Sequence, residues 1–238
     1  KAGAAVRMET YPYGKGDAKL VGQVAWDDAI SGPRPAVLVV HEWWGLNDYA
    51  KDRAKALASM GFIALAADIY GDGFETNDPA KARELAGKFR VGDRALLRER
   101  VASALEALKN HPLADKGKVA AIGYCFGGTA VLELARTGAE LAGVVSFHGG
   151  LSTPRPVQPG GIRAKVLVLH GADDPSVPPA EVQAFQDEMK KSGADWQMVA
   201  YGGAVHTFTN PAAGNDPSRG SAYNEKAARA KSSSSTRS

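Results

Sequence analysis

Cysteine is almost absent from this sequence: the chain has 238 residues and a single cysteine, Cys125. One cysteine excludes an internal disulfide, so cysteine usage does not assign the chain to a reducing or an oxidising compartment. Long apolar runs are also absent, because no segment approaches the roughly 18 residues that a membrane span requires. We therefore expect no membrane partner.

The chain also has no large excess of positive or of negative charge. The chain has 29 Lys and Arg against 26 Asp and Glu, a formal net charge of +3. Because this charge is small and evenly spread, it predicts no nucleic-acid partner. The five histidines show no metal-ligand spacing, and no glycine pattern of a nucleotide-binding loop occurs. We expect neither a metal nor another cofactor.

An initial methionine is missing too, since the chain begins Lys1-Ala2-Gly3. This start fits the mature end of a periplasmic or secreted protein after removal of a signal peptide, or a cytoplasmic protein with an artificial start. The serine-rich segment 229–238 is expected to be disordered or an artificial extension. No internal repeat or linker interrupts residues 1–228, so we expect one domain, and a monomer.

Apolar segments of strand length alternate with segments of helical periodicity along most of the chain. This alternation predicts an α/β fold with a doubly wound, mostly parallel sheet, preceded by an antiparallel hairpin with its turn at 13–17. Ligands of such sheets bind at the carboxyl ends of the strands. The predicted strands are 6–11, 20–26, 36–40, 62–67, 118–122, 142–147, 165–169 and 196–201; the predicted helices are 48–60, 79–89, 93–109, 129–136 and 179–192.

The segment Gly123-Tyr124-Cys125-Phe126-Gly127-Gly128 carries the strongest functional signal. It lies between a predicted strand and a predicted helix, which is the context of the nucleophile elbow Gly-x-Ser-x-Gly. Cysteine occupies the serine position. A thiol at a helix amino terminus or beside an imidazolium has a lowered pKa and is a strong nucleophile. The motif therefore predicts that Cys125 attacks a carbonyl carbon.

Two further residues complete a catalytic constellation with Cys125. His206 follows the last predicted strand, and Asp174 follows the strand before it, within His-Gly-Ala-Asp-Asp-Pro. The order nucleophile, acid, histidine is that of the α/β-hydrolases. His206 would activate Cys125, and Asp174 would orient His206, with Asp173 as the alternative acid.

Backbone and loop groups are expected to shape the remainder of the site. The N–H groups of Phe126 and Trp43 would stabilise the oxyanion, and Trp44 would form a wall of the substrate pocket. Three other histidines, His41, His148 and His170, follow predicted strands. We expect them to form hydrogen bonds at the strand ends without taking part in catalysis.

Five motifs in this order resemble the dienelactone hydrolase (carboxymethylenebutenolidase-like) family over about residues 16–228. They are His41–Leu46, Ala67–Tyr70, Gly123–Gly128, the segment of Asp174, and Gly203–Phe208. The resemblance implies an α/β-hydrolase fold and a Cys-His-Asp triad that hydrolyses small esters or lactones through an acyl-thioester. It also implies that Glu42 gates the thiol: the glutamate holds the resting thiol and moves away when substrate binds.

The sequence departs from the family at two positions of the substrate pocket. The resemblance implies two arginines that bind the carboxylate of dienelactone, one after the segment ending in Tyr70 and one four residues beyond the histidine. This chain has Asp72 and Asn210 there, and we expect both residues, together with Tyr70, to lie in the substrate pocket. We therefore expect a small ester or lactone other than a carboxylate-bearing dienelactone. The alternatives are a thiol acyltransferase or peptidase, and a non-catalytic thiol-based binding or redox-sensing protein.

Overall fold

One eight-stranded sheet organises the computed structural model, which describes residues 5–14 and 18–234. Helices flank it on both faces. The strands are β1 (Val6–Tyr13), β2 (Leu20–Asp27), β3 (Arg34–Val40), β4 (Ile63–Ala67), β5 (Ala114–Tyr124), β6 (Gly143–Phe147), β7 (Lys165–Gly171) and β8 (Trp196–Tyr201). The α-helices are α1 (Asp48–Ser59), α2 (Pro79–Arg90), α3 (Ala95–Lys109), α4 (Phe126–Arg136), α5 (Pro179–Ser192) and α6 (Glu225–Ser234).

The strand order is β1-β2-β4-β3-β5-β6-β7-β8. Strands β3 to β8 pair in parallel, whereas β1 and β2 form an antiparallel hairpin that joins the sheet through β4. The predicted α/β-hydrolase fold, a mostly parallel sheet with an amino-terminal hairpin, is confirmed. Of the predicted hairpin turn at 13–17, residues 15–17 lie outside the described residues.

Local sequence explains why these elements form. All five residues of β4 are buried, as expected for a central strand covered on both faces. Helix α1 begins where the Asn47 side chain accepts a hydrogen bond from the Ala50 N–H. Its buried residues, Ala50, Ala54 and Ala58, recur every four positions. This stripe of small side chains allows the helix to pack closely on the sheet.

The sheet separates two hydrophobic clusters. One contains apolar side chains of α2 to α5, including Phe89, Leu97 and Phe185. The other contains the alanines of α1 together with Phe208 and Ala227. Parallel packing in register aligns the carboxyl ends of the strands: Val40 of β3 pairs with Gly123 of β5. The loops after these strands therefore meet at one edge of the sheet, between strands whose connections run in opposite directions.

The carboxyl-terminal helix α6 covers Glu225–Ser234 and places the buried side chain of Ala227 against the second cluster. Residues 229–234 of the segment predicted to be disordered continue this helix, and residues 235–238 lie outside the described residues. Within the described ranges, no helix combines the length and the apolar character that crossing a bilayer demands.

Candidate active site

The turn between β5 and α4 presents Cys125 at the carboxyl edge of the sheet. Cys125 has φ 53° and ψ −113°, in a region that L-residues seldom adopt. The flanking glycines are sterically required: a Cβ at Gly123 would lie 2.0 Å from the Gly127 oxygen, and one at Gly127 would lie 2.2 Å from the Val40 oxygen. The geometry therefore has the features of a nucleophile elbow, with the thiol at the amino terminus of α4.

A continuous series of hydrogen bonds joins Cys125, His206 and Asp174. The distance from His206 Nε2 to Cys125 Sγ is 3.1 Å, and that from His206 Nδ1 to Asp174 Oδ2 is 2.8 Å. Asp174 is also fixed by its other oxygen, which accepts the Ser176 N–H at 2.8 Å. The structure thus brings together the three residues that the sequence selects for nucleophile, base and acid.

The two adjacent aspartates of this loop have different surroundings. Asp173 is exposed, and its Oδ2 accepts the Gly203 N–H at 2.9 Å. Asp174 is 5% exposed and faces the imidazole. Asp174 is therefore placed to orient His206, whereas Asp173 stabilises the turn at Gly203, three residues before His206.

The electrostatic environment of His206 favours its protonated form. Burial opposes charge on the ring, but the neighbouring Cys125 sulfur and the Asp174 carboxylate outweigh that penalty and raise the pKa of His206 well above its ordinary value. An imidazole of this kind takes a proton from a thiol readily, and the resulting cation stabilises the thiolate. The arrangement can therefore support nucleophilic catalysis by sulfur.

Glu42 is buried directly behind the site, 1% exposed. Its Oε2 accepts a hydrogen bond of 2.7 Å from Asn210 Nδ2, whereas Oε1 is buried without a partner among the described residues. Burial raises the pKa of Glu42 to about 7, although the Asn210 hydrogen bond acts in the opposite direction. Within the described part of the chain, Glu42 makes no hydrogen bond to Cys125, whose sulfur is bonded to His206.

A cavity of about 870 Å³ opens above Cys125 and His206. This volume is sufficient for a drug-sized organic molecule. The cavity is bordered by aromatic and polar side chains, among them Trp43, Trp44, Thr129, Ser152 and Asn210, and by the acidic side chain of Glu181. Trp43 and Trp44 pack on each other with ring centres 4.7 Å apart. The predicted pocket residues Trp44 and Asn210 thus line the cavity.

Tyr70 and Asp72, which the sequence also places in the pocket, do not line this cavity. The Tyr70 hydroxyl instead donates a hydrogen bond of 2.9 Å to the Trp43 carbonyl, and its ring packs on Phe126. Tyr70 therefore supports the loop that carries the expected oxyanion donor. Asp72 is exposed, and its N–H donates to the Lys19 carbonyl.

Three arginines, which the sequence analysis did not select, line the cavity: Arg90, Arg94 and Arg219. Arg94 is bound to the Ser152 carbonyl and to the buried carboxylate of Glu133. Arg90 lies at the end of α2, with its guanidinium carbon 5.9 Å from the centre of the Phe126 ring. No local sequence pattern marks these arginines, because they belong to separate elements, the end of α2, the start of α3 and the loop after His206, which only the folded chain brings to one cavity.

The histidines at the strand ends differ in their contacts. His41 donates from Nδ1 to the Glu42 carbonyl at 2.6 Å and accepts the Ile69 N–H at Nε2. His148 accepts the Cys125 N–H, whereas His170 Nδ1 is buried without a partner among the described residues. In residues 5–14 and 18–234, no group of His, Cys, Asp or Glu side chains could hold a metal ion.

Comparison with known proteins identifies relatives over nearly the whole chain. The sequence model of the dienelactone hydrolase family matches residues 22–236. A Yersinia pestis protein named for carboxymethylenebutenolidase activity is 28% identical over 210 residues, which cover 84% of this chain and 78% of that protein. A Bradyrhizobium protein named for 2-oxo-3-(5-oxofuran-2-ylidene)propanoate lactonase activity is 30% identical over 188 residues, 75% of each chain.

Solved structures of dienelactone hydrolase-like proteins also resemble this chain. A dienelactone hydrolase-like promiscuous phosphotriesterase from metagenomic libraries superposes with a TM-score of 0.89 and 44% sequence identity. The alignment covers 98% of this chain and 96% of that structure. Because the alignment covers nearly all of both chains, the two proteins resemble each other over their whole length.

Proposed function

This chain belongs to the dienelactone hydrolase family of carboxylic ester hydrolases, and from that premise we propose that it cleaves small esters or lactones with Cys125 as the nucleophile. The observation that carries the proposal is the hydrogen-bonded series of Cys125, His206 and Asp174 at the floor of the cavity. A binding protein needs a cavity, but it does not need a base and an acid aligned on a thiol.

The proposed reaction has two halves. In the first, His206 takes the proton of the Cys125 thiol, the sulfur attacks the carbonyl carbon, and the alkoxide leaves with the proton from His206. The product is an acyl-thioester on Cys125. In the second, His206 removes a proton from water, hydroxide attacks the thioester, and the thiolate departs. The backbone N–H groups of Phe126 and Trp43 would stabilise the oxyanion in both halves.

Glu42 is proposed to gate the thiol. In the arrangement described above, Glu42 is bound to Asn210 and the thiol is bound to His206, which corresponds to the reactive state. Rotation of the carboxyl group toward Cys125 would give a resting state in which the thiol is held away from its base. Replacement of Glu42 by alanine should therefore change the rate of Cys125 alkylation; an unchanged rate from pH 5 to pH 9 removes Glu42 from the mechanism.

The hydrolase proposal is tested with a panel of aryl acetates and small lactones. We expect turnover by the wild type and its loss, by at least about 10³-fold, in Cys125→Ala and His206→Ala. Rapid quenching in acid, followed by mass spectrometry, should detect the acyl group on the peptide that contains Cys125. Turnover equal to that of the two variants across the panel contradicts the proposal.

A second candidate activity is the hydrolysis of phosphotriesters. The structural relative with 44% identity is described as a promiscuous phosphotriesterase. Here the Cys125 thiolate would attack phosphorus, an aryloxide would leave, and water would then break the sulfur–phosphorus bond. Release of 4-nitrophenol from a dialkyl 4-nitrophenyl phosphate beyond one equivalent per enzyme supports this activity, and a single stoichiometric burst indicates inhibition instead.

A further inference from the structure

We infer that His148 is a positioning residue, which couples the nucleophile elbow to the loop that carries His206. The inference rests on the proposed function, because it concerns the alignment of Cys125 with its base. His148 follows β6, is fully buried and does not line the cavity, so it is not placed to touch a substrate.

The first contact of His148 is with the backbone of the nucleophile. The Cys125 N–H donates to the Phe147 carbonyl at 2.9 Å and to His148 Nδ1 at 3.1 Å. A backbone N–H can only donate, so Nδ1 must be the acceptor and cannot carry a proton. The neutral ring therefore carries its proton on Nε2.

The second contact leads to the loop of His206. With its proton on Nε2, His148 donates to Thr209 Oγ1 at 2.8 Å, three residues beyond His206. Tyr49 Oη lies 2.7 Å from Thr209 Oγ1 and donates to the Thr209 carbonyl at 3.1 Å. The Thr209 hydroxyl must then donate to Tyr49 Oη. Every proton in this series has one assigned position.

Backbone strain explains why such a connection is needed. Cys125, His148 and Thr207 all have positive φ, of 53°, 42° and 59° respectively. Residues without glycine's freedom stay in this region only where the surrounding structure holds them there. The His148 ring also contacts the rings of His206 and Phe208, with centres 5.5 and 5.2 Å away. The series thus holds two strained segments, the elbow and the His206 loop, at a constant separation.

The assigned tautomer is tested directly by NMR. In protein labelled with ¹⁵N at histidine, two-bond ¹H–¹⁵N spectra should show an unprotonated Nδ1 and a protonated Nε2 for His148. The signals of His148 are identified as those that are missing from the spectrum of the His148→Asn variant. The opposite tautomer, or an imidazolium at neutral pH, overturns the inference.

The coupling is tested by a double-mutant cycle. His148→Asn is expected to keep an acceptor for the Cys125 N–H but lose the bond to Thr209, and Thr209→Val removes the same bond from the other side. Each change should lower kcat about 5- to 10-fold, as the loss of one hydrogen bond implies, with KM within about twofold. Thr209→Val also removes the contact with Tyr49 Oη, but both changes delete the same His148–Thr209 bond, so the loss in the double variant should be clearly smaller than the product of the two single losses.

The matched control is Thr137→Val, because among residues 5–14 and 18–234 the Thr137 hydroxyl bonds only the local Leu134 carbonyl at the end of α4. This variant should leave kcat unchanged. The inference is overturned if the factor by which kcat falls in the double variant equals the product of the two single-variant factors, or if KM rises while kcat is unchanged. Circular dichroism and thermal melts confirm that each variant is folded before its kinetics are compared.

Alkylation separates failure of this inference from failure of the proposed function. The rate of Cys125 alkylation by iodoacetamide reports on the alignment of thiol and base without any turnover. It should fall about 5- to 10-fold in His148→Asn and in Thr209→Val, and not in Thr137→Val. If the wild type hydrolyses no ester, the proposed function fails, while alkylation and the NMR tautomer still decide the role of His148.

Discussion

The buried carboxyl group of Glu42 makes the stability of this protein depend on pH in a direction opposite to that of most carboxylates. Its side chain is 1% exposed, and only one of its two oxygens has a hydrogen-bond partner among the described residues. The informative perturbation is Glu42→Gln, which keeps the size of the side chain and removes its charge. We expect the variant to be more stable than the wild type at alkaline pH.

The magnitude follows from the pKa of Glu42, which burial raises from 4.5 to about 7. A carboxyl whose folded pKa lies above its unfolded value binds its proton more tightly when folded. Its contribution to stability is therefore complete below pH 4.5 and is lost as the pH rises through 7. At 1.36 kcal/mol per pH unit, the wild type should lose about 3 kcal/mol relative to Glu42→Gln across this window.

The assay is urea denaturation of both proteins at pH 5 and at pH 8.5. The quantity to compare is the difference in unfolding free energy between variant and wild type, in which the other titrating groups largely cancel. That difference should rise by about 2.5 kcal/mol in favour of the variant between the two pH values, since a small part of the effect is already present at pH 5. Glu106→Gln, a change on the exposed face of α3, is the matched control and should give a constant difference. A constant difference for Glu42→Gln as well would show that the pKa of Glu42 is not raised in the folded protein.

Three further predictions concern the surroundings of the site. Replacement of Glu133, which is buried among three arginines, by alanine should lower the unfolding free energy by about 3–5 kcal/mol, measured by urea denaturation, whereas the same replacement of the exposed Glu84 should change it little. Arg90→Gln should lower the ratio of iodoacetate to iodoacetamide alkylation rates about two- to threefold, because a cation that lines the same cavity as the thiol attracts the anionic reagent. Arg83→Gln, two turns earlier on α2, should leave this ratio unchanged. Gly127→Ala should abolish ester turnover or lower the melting temperature, since its Cβ would lie 2.2 Å from a backbone oxygen; wild-type values of both would contradict the steric argument.

Local patterns predicted most of the fold because each depends on neighbours in the chain. The bounds of α5 and β8, Pro179–Ser192 and Trp196–Tyr201, agree with the sequence prediction. Strand β5 is longer than predicted, beginning at Ala114, because the pairing of Arg34 with Ala114 extends its ladder past a register shift. Periodicity does not record such a shift, so element ends are less predictable than element types.

The sequence predicts the positions of some residues of the site and misses those of others. Cys125, His206 and Asp174 were found because strand ends and turn chemistry are visible in the sequence, although their catalytic roles stay a proposal. Tyr70 was placed in the pocket by resemblance, yet its hydroxyl binds the Trp43 carbonyl. Arg90 was missed because its contact with the Phe126 ring depends on how α2 packs.

Patterns in the sequence are enough to predict the alternation of strands and helices, the elbow at Cys125 and the chain order of nucleophile, acid and histidine. These features follow from steric and hydrophobic rules that act over a few residues. The folded chain is needed to see that Asp174 and not Asp173 faces His206, that Glu42 is bound to Asn210, and that His148 accepts the N–H of Cys125. Hydrogen bonds depend on direction as well as distance, and the side chains of two adjacent residues on a turn point in different directions. Which of the two can bond a given partner is therefore fixed only when the segment that carries the partner is folded beside the turn.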